Sequence, residues 1–214
     1  MSERFASLQK VLPQHLISRW IGKLAASENP TISKVFIEQF ARAYDISLKE
    51  AERKDFSDYT SFNDFFTRAL DSNARPMPGA VNELASPVDG CVSQLGRICD
   101  EQLFQAKGQR YSLRGLAGEA GQGFEGGDFC TIYLAPSDYH RIHLPYAGTL
   151  TQTIALPGAL FSVNGITEEY IEGLFLRNER LVCRFDTSFG PMLVILVGAL
   201  IVASIETVWP GPVS

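Results

Sequence analysis

The chain changes its hydrophobic rhythm about a third of the way along. In the first 25 residues Phe5, Leu8, Leu12, Leu16, Trp20 and Leu24 recur every three or four positions, which predicts an amphipathic helix, and Pro13 splits it into two pieces. A second helix is expected to start at Thr31 or Ser33 and to carry Val35, Phe36, Ile37, Phe40 and Tyr44. Ser47-Leu48-Lys49-Glu50 has capping-box spacing for a third, and Ser61 before Phe62, Phe65 and Phe66 predicts a short fourth. The breaker cluster Arg75-Pro76-Met77-Pro78-Gly79 then ends the helical half.

Beyond it, short apolar runs alternate with Gly and Pro: 90–98, 129–134, 148–156, 181–185 and 192–207. They read as strands, mostly antiparallel, because the intervals leave little room for crossover helices. The glycine-dotted stretch 115–127 reads as a surface loop. The expected fold class is therefore α+β, with amphipathic N-terminal helices over residues 1–78 followed by a β-rich, mainly antiparallel domain over 79–214. The run from Met192 to Ile205 is too short for a membrane span and reads as buried strand.

Charge sharpens this picture. The formal net charge is -5, which argues against a nucleic-acid partner. Yet residues 1–25 hold Arg4, Lys10, Arg19 and Lys23 against Glu3 alone. A basic amphipathic element either covers a core or lies in an anionic bilayer interface, and the pattern leaves both readings open. Cys91, Cys99, Cys130 and Cys183 form no CxxC pair and are expected to be reduced core thiols. No continuous apolar segment resembles a signal peptide.

Candidate chemistry gathers in two places. Two of the three histidines lie in Pro136-Ser137-Asp138-Tyr139-His140-Arg141-Ile142-His143, just after a predicted strand. Imidazole titrates near neutrality and suits proton transfer, although a structural pair, or a metal site completed by Asp138 or Asp89, also fits the spacing. Asp89, in Ser86-Pro87-Val88-Asp89-Gly90, either orients a histidine or simply forms a turn.

The ordered set Phe62-Asn63-Asp64-Phe65-Phe66-Thr67-Arg68, Ser86 to Gly90, Gln105-Ala106-Lys107-Gly108 with Tyr111-Ser112-Leu113, Asp138-Tyr139-His140-Arg141 with His143, Pro157-Gly158 with Leu160-Phe161-Ser162-Val163-Asn164, Phe175 with Arg177-Asn178-Glu179-Arg180, and Ile205-Glu206-Thr207-Val208-Trp209 resembles the bacterial phosphatidylserine decarboxylase proenzymes. The resemblance implies a precursor that cuts itself before a serine in a Leu-Gly-Ser-Thr motif and converts that serine into a pyruvoyl group on a small subunit. It implies that Asp89 and His143 form the charge relay for that cleavage, and that His140 contacts substrate or moves a proton. It further implies phosphatidylserine as substrate, an anionic membrane surface met through residues 1–25, a peripheral location on the cytoplasmic face of the cell membrane, and an associated small subunit, with a dimer of heterodimers left open. No Leu-Gly-Ser-Thr and no Gly-Ser pair occurs, so the pyruvoyl-forming serine is expected beyond residue 214 and the chain is expected to be inactive alone. Two other functions stay open on the residues: a membrane-binding remnant without catalysis, and a metal-dependent hydrolase using His140, His143 and an acid.

Overall fold

A computed structural model describes residues 2–80, 82–104, 110–202 and 204–209. The motif residues Gln105 to Gly108 and the chain end Pro210 to Ser214 lie outside the described residues, as does Ala203 within the expected 192–207 strand. Helices precede a set of mainly antiparallel sheets, the expected α+β arrangement.

Pro13 does separate two helices, α1 (Ser2–Gln9) and α2 (Gln14–Ala25), and its carbonyl accepts the Leu16 and Ile17 amides at the start of the second. Helix α3 (Pro30–Ala43) begins slightly earlier than the spacing indicated, because Asn29 caps it: its Oδ1 accepts the Thr31 and Ile32 amides, and Pro30 occupies the first turn. Ser61 caps α4 (Phe62–Phe66) by accepting the Asp64 amide.

The helix expected from Ser47 to Glu50 does not form. Instead the Ser47 hydroxyl accepts the Lys49 amide in a local turn, Ala51 bridges to Leu70, and the Glu50 carbonyl accepts the Asp71 amide. The glutamate that would complete the capping box reaches Arg75 instead. A long-range ion pair and extended backbone pairing have displaced a local motif.

The strands are β1 (Cys91–Arg97), β2 (Gln102–Phe104), β3 (Arg110–Ser112), β4 (Asp128–Tyr133), β5 (Gly148–Leu156), β6 (Arg180–Thr187) and β7 (Gly190–Val197). β1 pairs with β4, β2 with β3, and β5-β6-β7 form an antiparallel sheet. As its central strand, β6 is buried on both faces, which is why Leu181 to Cys183 is a continuous apolar run. Strand β7 ends at Val197, short of the predicted 207. Between strands lie α5 (Leu113–Ala117), α6 (Gly165–Tyr170) and α7 (Leu174–Arg177), so the stretch 115–127, expected as a loop, begins with helical turns.

Two compact units result, each from discontinuous chain. One comprises residues 1–20, 93–131 and 148–214; the other comprises 21–92 and 132–147, and the boundary expected at 78/79 falls inside it. The first unit is cored by Ile98, Leu103, Leu113, Ala117, Ala120 and Val182, with a second cluster of Ala6, Phe161, Ile171 and Leu174. The expectation of core thiols holds for Cys183 only: Cys91, Cys99 and Cys130 are exposed, because each falls on an open position of its strand or turn.

The second unit has an aromatic core. Phe65 is fully buried, with Tyr59 and Phe56 edge-on to it, and Phe62 stacks between Phe36 and Phe66. Truncating such a ring removes its transfer energy and leaves a cavity. Phe65→Ala is expected to destabilise this unit by about 3–5 kcal/mol. Urea unfolding followed through a probe in residues 21–92 checks this; a change below ~1 kcal/mol would contradict the packing described.

Candidate active site

All three candidate residues fall in the second unit, and backbone pairing explains how they come together. The Ala85 amide donates to the Pro145 carbonyl at 2.9 Å and the His143 amide donates to the Pro87 carbonyl at 2.8 Å. These bonds lay the Asp89 segment beside the histidine loop. Gly90 lets the chain pass the end of β4 at close range: a Cβ there would stand 2.6 Å from the Tyr133 carbonyl oxygen.

The histidine loop is a tight turn. Asp138 caps it, its Oδ2 accepting the Ala135 amide at 2.7 Å while its own amide donates to the Ala135 carbonyl. His140 Nδ1 lies 2.9 Å from the Asp138 carbonyl oxygen, which can only accept. The proton therefore sits on Nδ1, and Nε2 of the neutral ring carries a lone pair. Burial holds the His140 imidazole below its ordinary value; the bond to Asp138 opposes this, and the nearby Arg68 cation adds to it. The ring rests on Phe66, with centroids 3.9 Å apart.

His143 is exposed and meets a different partner. Its Nε2 lies 2.9 Å from the Tyr139 hydroxyl, and the two rings stack. Burial raises the Tyr139 phenol above its ordinary value, so it remains protonated at neutral pH.

Asp89 is held by an arginine. Arg75 Nε donates to Asp89 Oδ1 at 2.8 Å, Nη2 donates to Oδ2, and Nη2 also reaches Glu50 Oε2 at 2.9 Å. These bonds hold the Asp89 carboxyl below the usual range against the opposing effect of burial, with a weaker through-space pull from His143. Among the described residues no hydrogen bond joins Asp89 to His143; they are neighbours coupled by charge. Nor do the described residues gather three or more His, Cys, Asp or Glu side chains into a group that could hold a metal ion.

The pattern-based reading missed Arg75, Tyr139 and Arg68 as site residues. Arg75 was absorbed into a breaker cluster, and Arg68 trails the phenylalanines of α4. Arg68 is only 5% exposed, its Nη2 donates to the Ser137 carbonyl at 3.3 Å, and its guanidinium stands over the Phe65 ring. Nε and Nη1 are buried without a hydrogen-bond partner among the described residues. From the other side, Arg141 Nε donates to the Thr67 carbonyl at 2.7 Å. The end of α4 and the histidine loop are thus tied twice.

If Arg75 keeps Asp89 ionised, Arg75→Gln should move the Asp89 titration up toward the ordinary 3.8. A depressed folded-state value stabilises above the unfolded one, and that contribution is lost as pH falls through the folded value. The stability gap between wild type and Arg75→Gln should therefore be full at neutral pH and close in acid below about pH 3.8. Carboxyl titration by NMR checks this; an unmoved Asp89 would mean that another group sets its charge.

A family model described as phosphatidylserine decarboxylase matches residues 62–213, and one described as PSD matches residues 4–45. A phosphatidylserine decarboxylase proenzyme of Psychrobacter cryohalolentis is 51% identical over 212 residues, covering 98% of this chain and 76% of the relative. Those of Shewanella sp. (strain ANA-3) and Acinetobacter baylyi are 53% and 52% identical, over 97% and 98% of this chain and 72% and 74% of their own lengths. With both the helical and the β-rich stretches matched, the chain belongs to the phosphatidylserine decarboxylase family.

Proposed function

We propose that this chain serves the conversion of phosphatidylserine to phosphatidylethanolamine, as the larger part of a precursor that cleaves itself, with Asp89 and His143 as the groups that drive the cleavage. The observation that carries this reading is the backbone pairing of 85–87 with 143–145, which sets an ionised carboxylate beside an exposed imidazole.

In this reading His143 takes the proton from the hydroxyl of the cleavage-site serine as that oxygen attacks the preceding carbonyl. Asp89, a carboxylate whose titration Arg75 lowers further, stabilises the resulting imidazolium through space rather than through a hydrogen bond. With the His143 Nε2–H donating to the Tyr139 hydroxyl oxygen at 2.9 Å, the ring plane is fixed and the lone pair on Nδ1 is the base. A small subunit bearing the pyruvoyl group remains associated with the chain.

The residues present fit a pyruvoyl group acting on an amino-acid headgroup. His140 offers a neutral Nε2, Tyr139 offers a phenol, and Arg68 has N–H groups without an acceptor among the described residues. When bound, the pyruvoyl group supplies a carbonyl that accepts the electrons released with carbon dioxide. His140 then moves the proton that replaces the carboxylate, since burial makes its charged form a stronger acid than an exposed imidazolium.

Access to a lipid follows from the N-terminal helices. Helix α1 and the start of α2 are fastened to their unit by Ala6, Gln9 and Gln14, all buried, with Gln9 bonded to Ser162 and Gln14 Oε1 accepting the Leu160 amide. Val11 is 78% and Trp20 71% exposed, and Leu8 and Leu16 are exposed with them, as are Lys10 and Arg19. No helix among the described residues is long and apolar enough to cross a membrane. The outward stripe suits interfacial docking on an anionic bilayer at the cytoplasmic face.

Two experiments test the reading. In the full-length precursor, His143→Ala should slow cleavage by at least about 10²-fold, seen as an uncut band on a denaturing gel; cleavage at the normal rate would remove His143 from the role. Val11→Ser, Leu16→Ser and Trp20→Ser together should lower flotation with anionic vesicles by well over about tenfold, since each apolar side chain withdrawn from the bilayer forfeits roughly 1.5–3 kcal/mol. Undiminished flotation would refute docking by this stripe.

A further inference from the structure

Two buried arginines in this chain make an internal comparison. Arg180 is 8% exposed and its guanidinium is saturated, donating to the carbonyls of Gly115, Leu116, Leu176 and Asn178 at 2.6–2.9 Å. That is how a structural arginine looks when the fold supplies its acceptors. Arg68 is 5% exposed and makes one long bond, at 3.3 Å to Ser137, while Nε and Nη1 have no acceptor among the described residues.

The acids around Arg68 are already committed. Asp89 is bound to Arg75, and Asp138 accepts from the Ala135 amide and the Ser137 hydroxyl. No carboxylate among the described residues lies within ion-pair distance of Arg68. Its position is nonetheless fixed: the Arg68 amide donates to the Phe65 carbonyl, and Arg141 holds the Thr67 carbonyl beside it. A guanidinium cannot discard its proton, so a fixed, buried fork with unspent donors is complementary to an oxyanion. His140 is near enough for the Arg68 charge to act on its titration, and it packs on Phe66, two residues before the arginine.

We propose that Arg68 is the anion-receiving residue of this site and holds an oxyanion of the serine headgroup, its carboxylate or its phosphodiester. The identity of the headgroup rests on the function proposed above; the anion-binding role rests on the geometry of Arg68. Arg68 acts here by binding and orienting substrate beside His140.

The test is binding to the full chain, read by calorimetry and by the side-chain Nε resonance of Arg68. The probes are glycerophosphoserine, which carries both anions, and glycerophosphoethanolamine, which carries the phosphodiester alone. Arg68→Gln should weaken glycerophosphoserine binding by about tenfold or more, the factor of one charge-assisted hydrogen bond, and Arg68→Lys should not restore it because the fork is lost. An equal loss for both probes assigns the phosphodiester; a loss confined to glycerophosphoserine assigns the carboxylate. Should Arg68→Gln fail to fold, the wild-type resonance decides, since saturation with glycerophosphoserine must move it. Binding by Arg68→Gln within about twofold of wild type, or an unmoved resonance at saturation, overturns the proposal and makes Arg68 a structural residue satisfied by water or by other backbone. Neither readout involves release of carbon dioxide, so failure of the decarboxylase reading and failure of this assignment are seen separately.

Discussion

A guanidinium keeps its proton in any folded protein, so burying one obliges the surroundings to present oxygen. Arg180 meets that obligation in full, and less buried arginines bind backbone oxygen in the same way. Arg180 gathers carbonyls from α5 and α7, Arg184 takes those of Ala120 and Gln122, Arg53 takes that of Asp58, and Arg141 takes that of Thr67. These are the places where no ladder hydrogen bonds exist to order the backbone. Within each unit, arginine does for the irregular segments what strand pairing does for the sheets.

The candidate site is an extension of the same logic into chemistry. Arg75 uses its fork on two carboxylates rather than on carbonyls, and so fixes the ionisation of Asp89 as well as its position. Arg141 and Arg68 tie the end of α4 to the histidine loop in opposite directions. An aromatic core beneath them, from Phe62 to Phe66, gives the ties a stiff base.

What the sequence disclosed depended on the range of the interactions involved. Period and capping are local, so the break at Pro13, the Ser61 cap and the run of β5 could be read directly. The stretch Ser47 to Glu50 misled because its capping signal is also local, whereas the competing pair with Arg75 spans 25 residues. The exposed thiols misled because cysteine's average burial says nothing about which face of β1 or β4 a given residue takes. At the site, His140, His143 and Asp89 stood out by type and density. Tyr139, Arg75 and Arg68 did not, since a phenol, a loop arginine and a helix-end arginine acquire meaning only when burial and neighbours are known.

The N-terminal helices hold on to the fold with uncharged amides and turn their apolar and basic side chains outward. Amide-to-backbone bonds carry no net charge, so dissolved salt has little hold on them, while attraction between lysines and an anionic surface fades within about 10 Å at moderate ionic strength. The two faces of one short element therefore answer to different variables. If the outer face docks as proposed, ionic conditions would govern how long the protein stays at a surface without touching the amide bonds that hold the helices to the fold.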